Sequence, residues 1–322
     1  MALDKTRLLE AYRVMKTIRE FEERLHVEIA TGAIPGFTHL YSGQEAVAAG
    51  VCMHLSDDDY IVSTHRGHGH CIAKGCDVIG MMKEIYGRAD GLCKGKGGSM
   101  HIADFDKGML GANAIVGGGP PIATGAAIAT KLDGNGKVSA SFGGDGSSNQ
   151  GTVFEAMNLA VVLKLPTLFV YEDNGYGEHT GTSYAVGSDD IAGRCEGFGM
   201  TAKKVDGGDF FAVYEAAGEL FDQLRAGDGP AALECTITRF YGHYEGDPQR
   251  YRAKDEVANF RESKDCLKNF RQRVTGEGLL DDSDLDAIDA EVAELIDRAV
   301  EEAKAAPAAP ISELETDVYI SY

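Results

Sequence analysis

The sequence predicts an α/β protein built on a parallel sheet with crossover helices. Three observations carry that reading. The apolar runs VSASF (138–142), TLFVY (167–171) and AALECTI (231–237) have the length and β-branched or aromatic content of strands. Each run ends in a polar, glycine-rich segment: GGDGSSNQG, EDNGYG and RFYGHYEGDPQRYR. Helical patterns separate the runs, and in such sheets ligands sit beyond the carboxyl ends of the strands.

The elements follow in chain order. Leu8, Leu9, Tyr12, Met15, Ile18, Phe21 and Leu25 recur at three- and four-residue steps, which predicts an amphipathic helix in the first thirty residues. Helical pieces alternate with glycine-rich loops from Gly32 to Gly151. After the first strand a helix is expected over Thr152 to Leu163, opened by a capping box of Ser147 with Gln150 or of Thr152 with Glu155. A last periodic helix runs from Leu285 to Ala303, with Ser283 as its expected N-cap and Asp286 three residues on. AAPAAP (305–310) reads as a short linker. The organisation expected is one domain: a helical arm over 1–32, a core over about 33–253 and a helical tail over about 254–322.

Composition narrows the function. At 322 residues the chain can bury a sizeable core without disulfide or metal staples. A net charge of −20 disfavours nucleic acid and anionic membranes as partners. No apolar stretch approaches a membrane span; the best, LAVVLKLPTLFVY, is broken by Lys164 and Pro166. The start, MALDKTRLLEAYRVMK, lacks a signal-peptide apolar region, and the seven cysteines show no CxxC spacing. Reduced thiols acting as small buried hydrophobes, in a cytoplasmic protein, are the simpler reading. Glycine is the anomaly. The chain has 41, and 17 of them lie between Gly87 and Gly151, a demand for backbone close to something.

Residues 138–176 carry the chemistry. A strand delivers Gly143-Gly144-Asp145-Gly146 at its carboxyl end, shortly before a helix start whose unpaired N–H groups favour phosphate. Glycines at 144 and 146 allow close approach, Asp145 offers a hard oxygen, and Asn174 after the next strand offers another, with a backbone carbonyl nearby as a third. Magnesium favours such oxygen sets shared with phosphates. Ordinary turns built from Gly, Asp and Asn explain the same letters.

GDG followed some thirty positions later by an asparagine after an apolar run resembles the thiamine-diphosphate signature. HLYSGQEAVAAG (39–50), HRGHG (65–69), GKGGSMHI (95–102), GDGSSNQGTVFEAMNLA (144–160) and LPTLFVYEDNGYG (165–177) are similar, in order, to the alpha subunits of 2-oxo acid dehydrogenase-type complexes. The resemblance spans about Leu8 to Pro310. STHRGHGHCIAKG (63–75) and YGHYEGDPQRYR (241–252) are closer to the acetoin dehydrogenase branch. Pyruvate-type subunits carry a serine-bearing loop where this chain has Tyr244-Glu245-Gly246, and Glu-Asn-Asn where it has Asp173 in the middle.

The resemblance implies a thiamine-diphosphate-binding fold and a set of roles. Asp145, Asn174 and the backbone carbonyl of Tyr176 would hold Mg2+, while Gly144, Gly146 and Ser147 wrap the diphosphate. Arg66 matches a diphosphate-binding arginine, and His65 beside it, where pyruvate-type relatives have tyrosine, is a further candidate cofactor contact; a salt bridge and helix capping are the structural alternatives for this segment. Ala114 and Val116 match backbone contacts to the aminopyrimidine ring, with Ile115 between them. His39, His68 and His243 are the candidate catalytic histidines, His243 also touching the diphosphate from a loop with Arg239, Arg250 and Arg252. That loop has the charge to close over an anion or dock a carrier domain.

The implied activity is cleavage of acetoin to acetaldehyde and a cofactor-bound hydroxyethyl unit passed to a lipoyl-bearing acyltransferase. It requires a beta subunit, in an α2β2 heterotetramer. Pyruvate or a branched-chain 2-oxo acid is the alternative substrate, and a silent cofactor-binding or scaffold subunit the alternative outside catalysis. The apolar faces of the terminal helices fit such an assembly or their own domain equally.

Overall fold

The computed structural model describes residues 3–321. Five parallel strands form the central sheet: β1 (Tyr60–Val62), β2 (Ser139–Gly144), β3 (Thr167–Asp173), β6 (Thr201–Asp206) and β7 (Ala231–Thr236), in the order β1-β2-β3-β7-β6. Two short segments, β4 (Tyr176–Gly177) and β5 (Thr180–Gly181), pair as a small hairpin just beyond β3. Ser139 pairs with Thr167 and Gly144 with Glu172, so β2 and β3 end side by side. Parallel pairing brings all the carboxyl ends to one edge.

Strand residues alternate between two cores, as a pleated sheet requires. Leu168, Val170, Leu233 and Cys235 face a cluster shared with the terminal helices, and Phe169, Tyr171 and Ala232 face a second cluster with Val153, Met157 and Ile191. Coverage of both faces explains why β2, β3 and β7 are continuous apolar runs. The sequence reading missed β1 and β6. Both are edge strands: β1 has three residues, and β6 (TAKKVD) carries two lysines and no buried residue. Polar edge strands resist unwanted pairing and show little hydrophobic pattern.

The first helix runs Lys5–Ile29 and the last Asp282–Ala305. Leu8, Met15, Ile18, Phe21 and Leu25 pack in one core with Leu285, Ile288, Val292 and Ile296. The apolar faces of both terminal helices are therefore covered by their own chain. Exposed apolar residues also occur on the adjoining Gly119–Asp133 and Gly151–Val162 helices, at Ile122, Leu132, Leu159 and Val162. The 305–310 segment is not a free linker, because Pro307 O accepts from Ala89 N at 2.9 Å and Ala308 bridges Arg88.

Both expected helix caps differ from expectation. Asp281, not Ser283, opens the last helix, in a capping box with Asp284. The Gly151–Val162 helix has Gln150 at its N-cap and no side-chain cap. Ser147 and Thr152 are committed elsewhere, their hydroxyls donating to Gly144 O at 2.7 Å and Gly117 O at 3.0 Å. A lost N-cap costs about 1 kcal/mol, whereas a first-turn surface serine contributes within about 0.5 kcal/mol. Chemical denaturation of D281A should therefore show a loss of about 1 kcal/mol and S283A almost none. The reverse ranking would return the cap to Ser283.

Candidate active site

A cavity of about 460 Å³ opens at the carboxyl ends of β2 and β3. Local sequence explains why the two strand-end loops meet there. A Cβ on Gly146 would lie 3.0 Å from the Cα of Gly177, so the loops touch through bare backbone. Gly175 turns the second loop at φ +84°. Gly144 is more open: a Cβ there would find its nearest neighbour in Glu172 O, at 3.9 Å.

On the wall formed by these loops lie Gly144, Asp145, Gly146, Ser147, Asn174 and Tyr176. Asp145 is 2% exposed, and its carboxylate accepts from the Thr182 hydroxyl. The same hydroxyl lies 3.2 Å from Asp173 Oδ1. Burial pushes the Asp145 carboxyl up to about 6, opposed by the Thr182 bond and reinforced by the charge of Asp173. Asn174 is held by Gln44 Oε1, accepting from its Nδ2 at 3.3 Å, and its own Oδ1 accepts from Tyr176 N at 3.3 Å. Asp145 has no ion pair among the described residues.

The complementary charge is Arg66, which also lines the cavity. It directly precedes Gly67, the N-cap of the His68–Lys74 helix, and is 5% exposed. Its guanidinium donates to two backbone carbonyls, Leu40 O and His243 O, the latter at 2.8 Å. Among the described residues it has no carboxylate partner. Burial, and then the neighbouring Arg239 charge, push it down to about 9. Arg239 is itself 1% exposed, with a buried Nε that lacks a partner. A buried charge left uncompensated costs about 3–5 kcal/mol. Asp145 and Arg66 are two buried charges of opposite sign in one cavity without a direct ion pair, attracted only from further off, by Arg239 and by Glu22 and Glu172 respectively. A ligand that supplies both a cation and an anion satisfies them together, and hard oxygens around Asp145 suit magnesium.

Ala114 and Val116 line the cavity with Ile115 between them, and Val116 is 48% exposed. His39, His65 and His243 cluster on its wall, with ring centroids 4.6 Å (His39–His65), 5.0 Å (His39–His243) and 5.2 Å (His65–His243) apart. Burial first, and then the Arg66 charge, push their imidazoles down to about 3, 2 and 4 respectively. All three are neutral near pH 7.

His68 is not brought to the cavity. It is fully buried in the first turn of its helix, with Nδ1 2.9 Å from Glu22 Oε1 and Nε2 2.9 Å from Ser99 Oγ. That geometry ties the first helix to the 98–100 turn. Sequence reasoning passed over Gln44, Glu172 and Thr182. Gln44 lies in the quoted HLYSGQEA segment and Glu172 at a strand end, where position alone was the signal. Thr182 had no signal of its own.

The loop after β7 is organised by Asp247. Its carboxylate accepts from His243 N at 2.7 Å, Gln249 N at 2.9 Å and Tyr251 OH at 2.6 Å. Burial opposes ionisation, yet the Tyr251 bond and these two amides hold the carboxyl down at about 2. Arg239 Nη2 donates to the Tyr251 hydroxyl at 2.6 Å, extending the network into the cavity.

The sequence matches the dehydrogenase E1 component family over residues 13–312. It is 57% identical over 322 residues to the alpha subunit of acetoin:2,6-dichlorophenolindophenol oxidoreductase from Cupriavidus necator, covering 100% of this chain and 97% of the relative. The Bacillus subtilis protein of the same description is 52% identical, covering 100% and 96%. The pyruvate dehydrogenase E1 component alpha subunit of Rhizobium meliloti is more distant, 40% identical over 312 residues, covering 97% and 90%.

Removing the Asp247 carboxylate strands three donors, each costing about 1–3 kcal/mol if left unsatisfied. D247A should therefore exchange the amides of residues 241–252 at least about tenfold faster by hydrogen–deuterium exchange. Protection equal to wild type would show that the loop is held by something else.

Proposed function

The chain belongs to the dehydrogenase E1 component family, and on that premise we propose that it is the alpha subunit of a thiamine-diphosphate- and magnesium-dependent acetoin dehydrogenase. The observation that carries the cofactor assignment is the pair of buried charges, Asp145 and Arg66, neither in a direct ion pair among the described residues, in one cavity at the strand ends. In this reading Asp145, Asn174 and the backbone carbonyl of Tyr176 hold the magnesium. Gly144, Gly146, Ser147 and Arg66 hold the diphosphate, with His243 beside it. Ala114 and Val116 offer backbone to the pyrimidine ring.

When bound, the cofactor supplies a carbanion nucleophile and an acceptor for the electron pair of a broken carbon–carbon bond. The chain's own residues bind its charged end, exclude water and orient the substrate. Arg66 is already fixed by two carbonyls and Asp145 by Thr182, so little reorganisation accompanies binding. The Asp247 network keeps His243 at the cavity wall.

The Cupriavidus necator and Bacillus subtilis relatives, both above 50% identity, act on acetoin by name, which favours acetoin over pyruvate as substrate here. A silent scaffold would have no reason to retain two opposed buried charges. Both relatives are named as alpha subunits, which supports a beta-subunit partner, in an α2β2 assembly. We assign to that partner the exposed apolar residues Ile122, Leu132, Leu159 and Val162 of the Gly119–Asp133 and Gly151–Val162 helices, the first of which follows the cavity-lining Ile115 and Val116 in the chain. The two-carbon unit would leave on a lipoyl-bearing acyltransferase. The seven free thiols fit a reducing, cytoplasmic setting. Among the described residues no helix is long and apolar enough to cross a membrane.

The test is dye-linked oxidation by this chain co-purified with its beta subunit, with magnesium and thiamine diphosphate. A kcat/KM for acetoin at least about tenfold above that for pyruvate is expected, a difference of about 1.4 kcal/mol in transition-state binding. Preference for pyruvate would overturn the substrate, and activity of the chain alone would overturn the need for a partner.

A further inference from the structure

The three imidazoles on the cavity wall are more than the charged end of the cofactor requires. One ring nitrogen from each of His39, His65 and His243 lies within 4.8 Å of the others, a grouping that in isolation suits a transition metal. The guanidiniums decide against it. Arg66 and Arg239 repel a proton from each of the three rings, and a divalent ion would meet that repulsion twice over. What remains is a set of neutral imidazoles, able to accept a proton and pass it on.

Their nitrogens are not equivalent. Arg239 Nη1 lies 3.4 Å from His243 Nδ1, and because a guanidinium only donates, that nitrogen accepts and is occupied. His39 is the most enclosed, 8% exposed, with Nδ1 buried and unpartnered. His65 is half-buried, lines the cavity and makes no hydrogen bond through its ring among the described residues. Its lone pair is free to face a substrate.

The chemistry asks for such a group. Splitting a 2-hydroxy ketone breaks the bond between the carbonyl carbon and the carbinol carbon. The electron pair of that bond stays with the retained acyl fragment, and the carbinol oxygen forms a new C=O as its O–H bond gives up a proton. A 2-oxo acid needs no such base, because its carboxylate, which carries no proton, leaves as carbon dioxide while the electron pair of the broken bond stays with the acyl fragment. We propose that His65 is the base that takes the hydroxyl proton of the 2-hydroxy ketone, with His39 beside it to receive or relay that proton. The proposal rests on the acetoin reading above. Burial is the larger cause of the rings' weak basicity, and an anion bound at Arg66 would offset the second, the guanidinium charge.

The experiment uses the complex of this chain with its beta subunit, loaded with magnesium and thiamine diphosphate. In H65A, acetaldehyde release from acetoin should fall about 100-fold or more, the usual contribution of a positioned general base. Thiamine diphosphate affinity by calorimetry should stay within about threefold of wild type, a change under about 0.7 kcal/mol, and added imidazole should restore part of the rate. H65N, of similar polarity but without a base, should lose the rate while keeping the affinity. A rate near wild type in both variants, a parallel loss of cofactor affinity, or no rescue of H65A by imidazole would each overturn the assignment. A wild-type enzyme that processes pyruvate and ignores acetoin would instead overturn the acetoin reading, and with it the reason for a base.

Discussion

Two buried charges of opposite sign, left without a direct ion pair by their own chain, are the constraint around which this protein is arranged. Asp145 and Arg66 sit in the same cavity, and neither makes a direct ion pair among the described residues; only the more distant charges of Arg239 for Asp145, and of Glu22 and Glu172 for Arg66, act on them. In a folded protein such groups are costly, and they persist where something else completes them. The neighbouring backbone serves the same end. Gly146 meets Gly177 without side chains between them, which brings the ends of β2 and β3 close enough to share one ligand.

The rest of the fold holds these two charges in place. The parallel sheet sets Asp145 and Asn174 at adjacent strand ends, and burial on both faces makes β2 and β3 rigid supports. Arg66 is placed from a different direction, by the loop before the His68–Lys74 helix, and that helix is anchored through His68 to Glu22 of the first helix. The loop after β7 supplies His243, with Asp247 as its internal hub. A site assembled from three separate parts of the chain depends on the shared core that joins the terminal helices to the sheet.

Much of this was legible in the sequence, for identifiable reasons. Strands covered on both faces must be apolar at successive positions, so β2, β3 and β7 stood out, while the three-residue β1 and the polar edge strand β6 did not. The last helix was visible from its period, but DDSD offers several capping groups, and only geometry selects Asp281. HRGHGH shows the same limit for the site. His65 and Arg66 precede the helix and reach the cavity, whereas His68 turns inward to Glu22, forty-six positions away. Nothing local signals that partner. The roles given to Asp145, Asn174 and Arg66 came from family resemblance, and the charge imbalance that gives those roles a physical reason appears only in three dimensions.

The most direct measurement is calorimetric titration of inorganic pyrophosphate into the wild-type chain, R66M, D145N and the double variant, with and without magnesium. The account predicts that wild-type affinity rises steeply with magnesium, that D145N abolishes this magnesium dependence, and that R66M weakens binding at least about tenfold, near 1.4 kcal/mol. It further predicts that the two losses are not additive, because both residues act on one bound metal–anion unit. Pyrophosphate affinity unaffected by magnesium and by either substitution would contradict it.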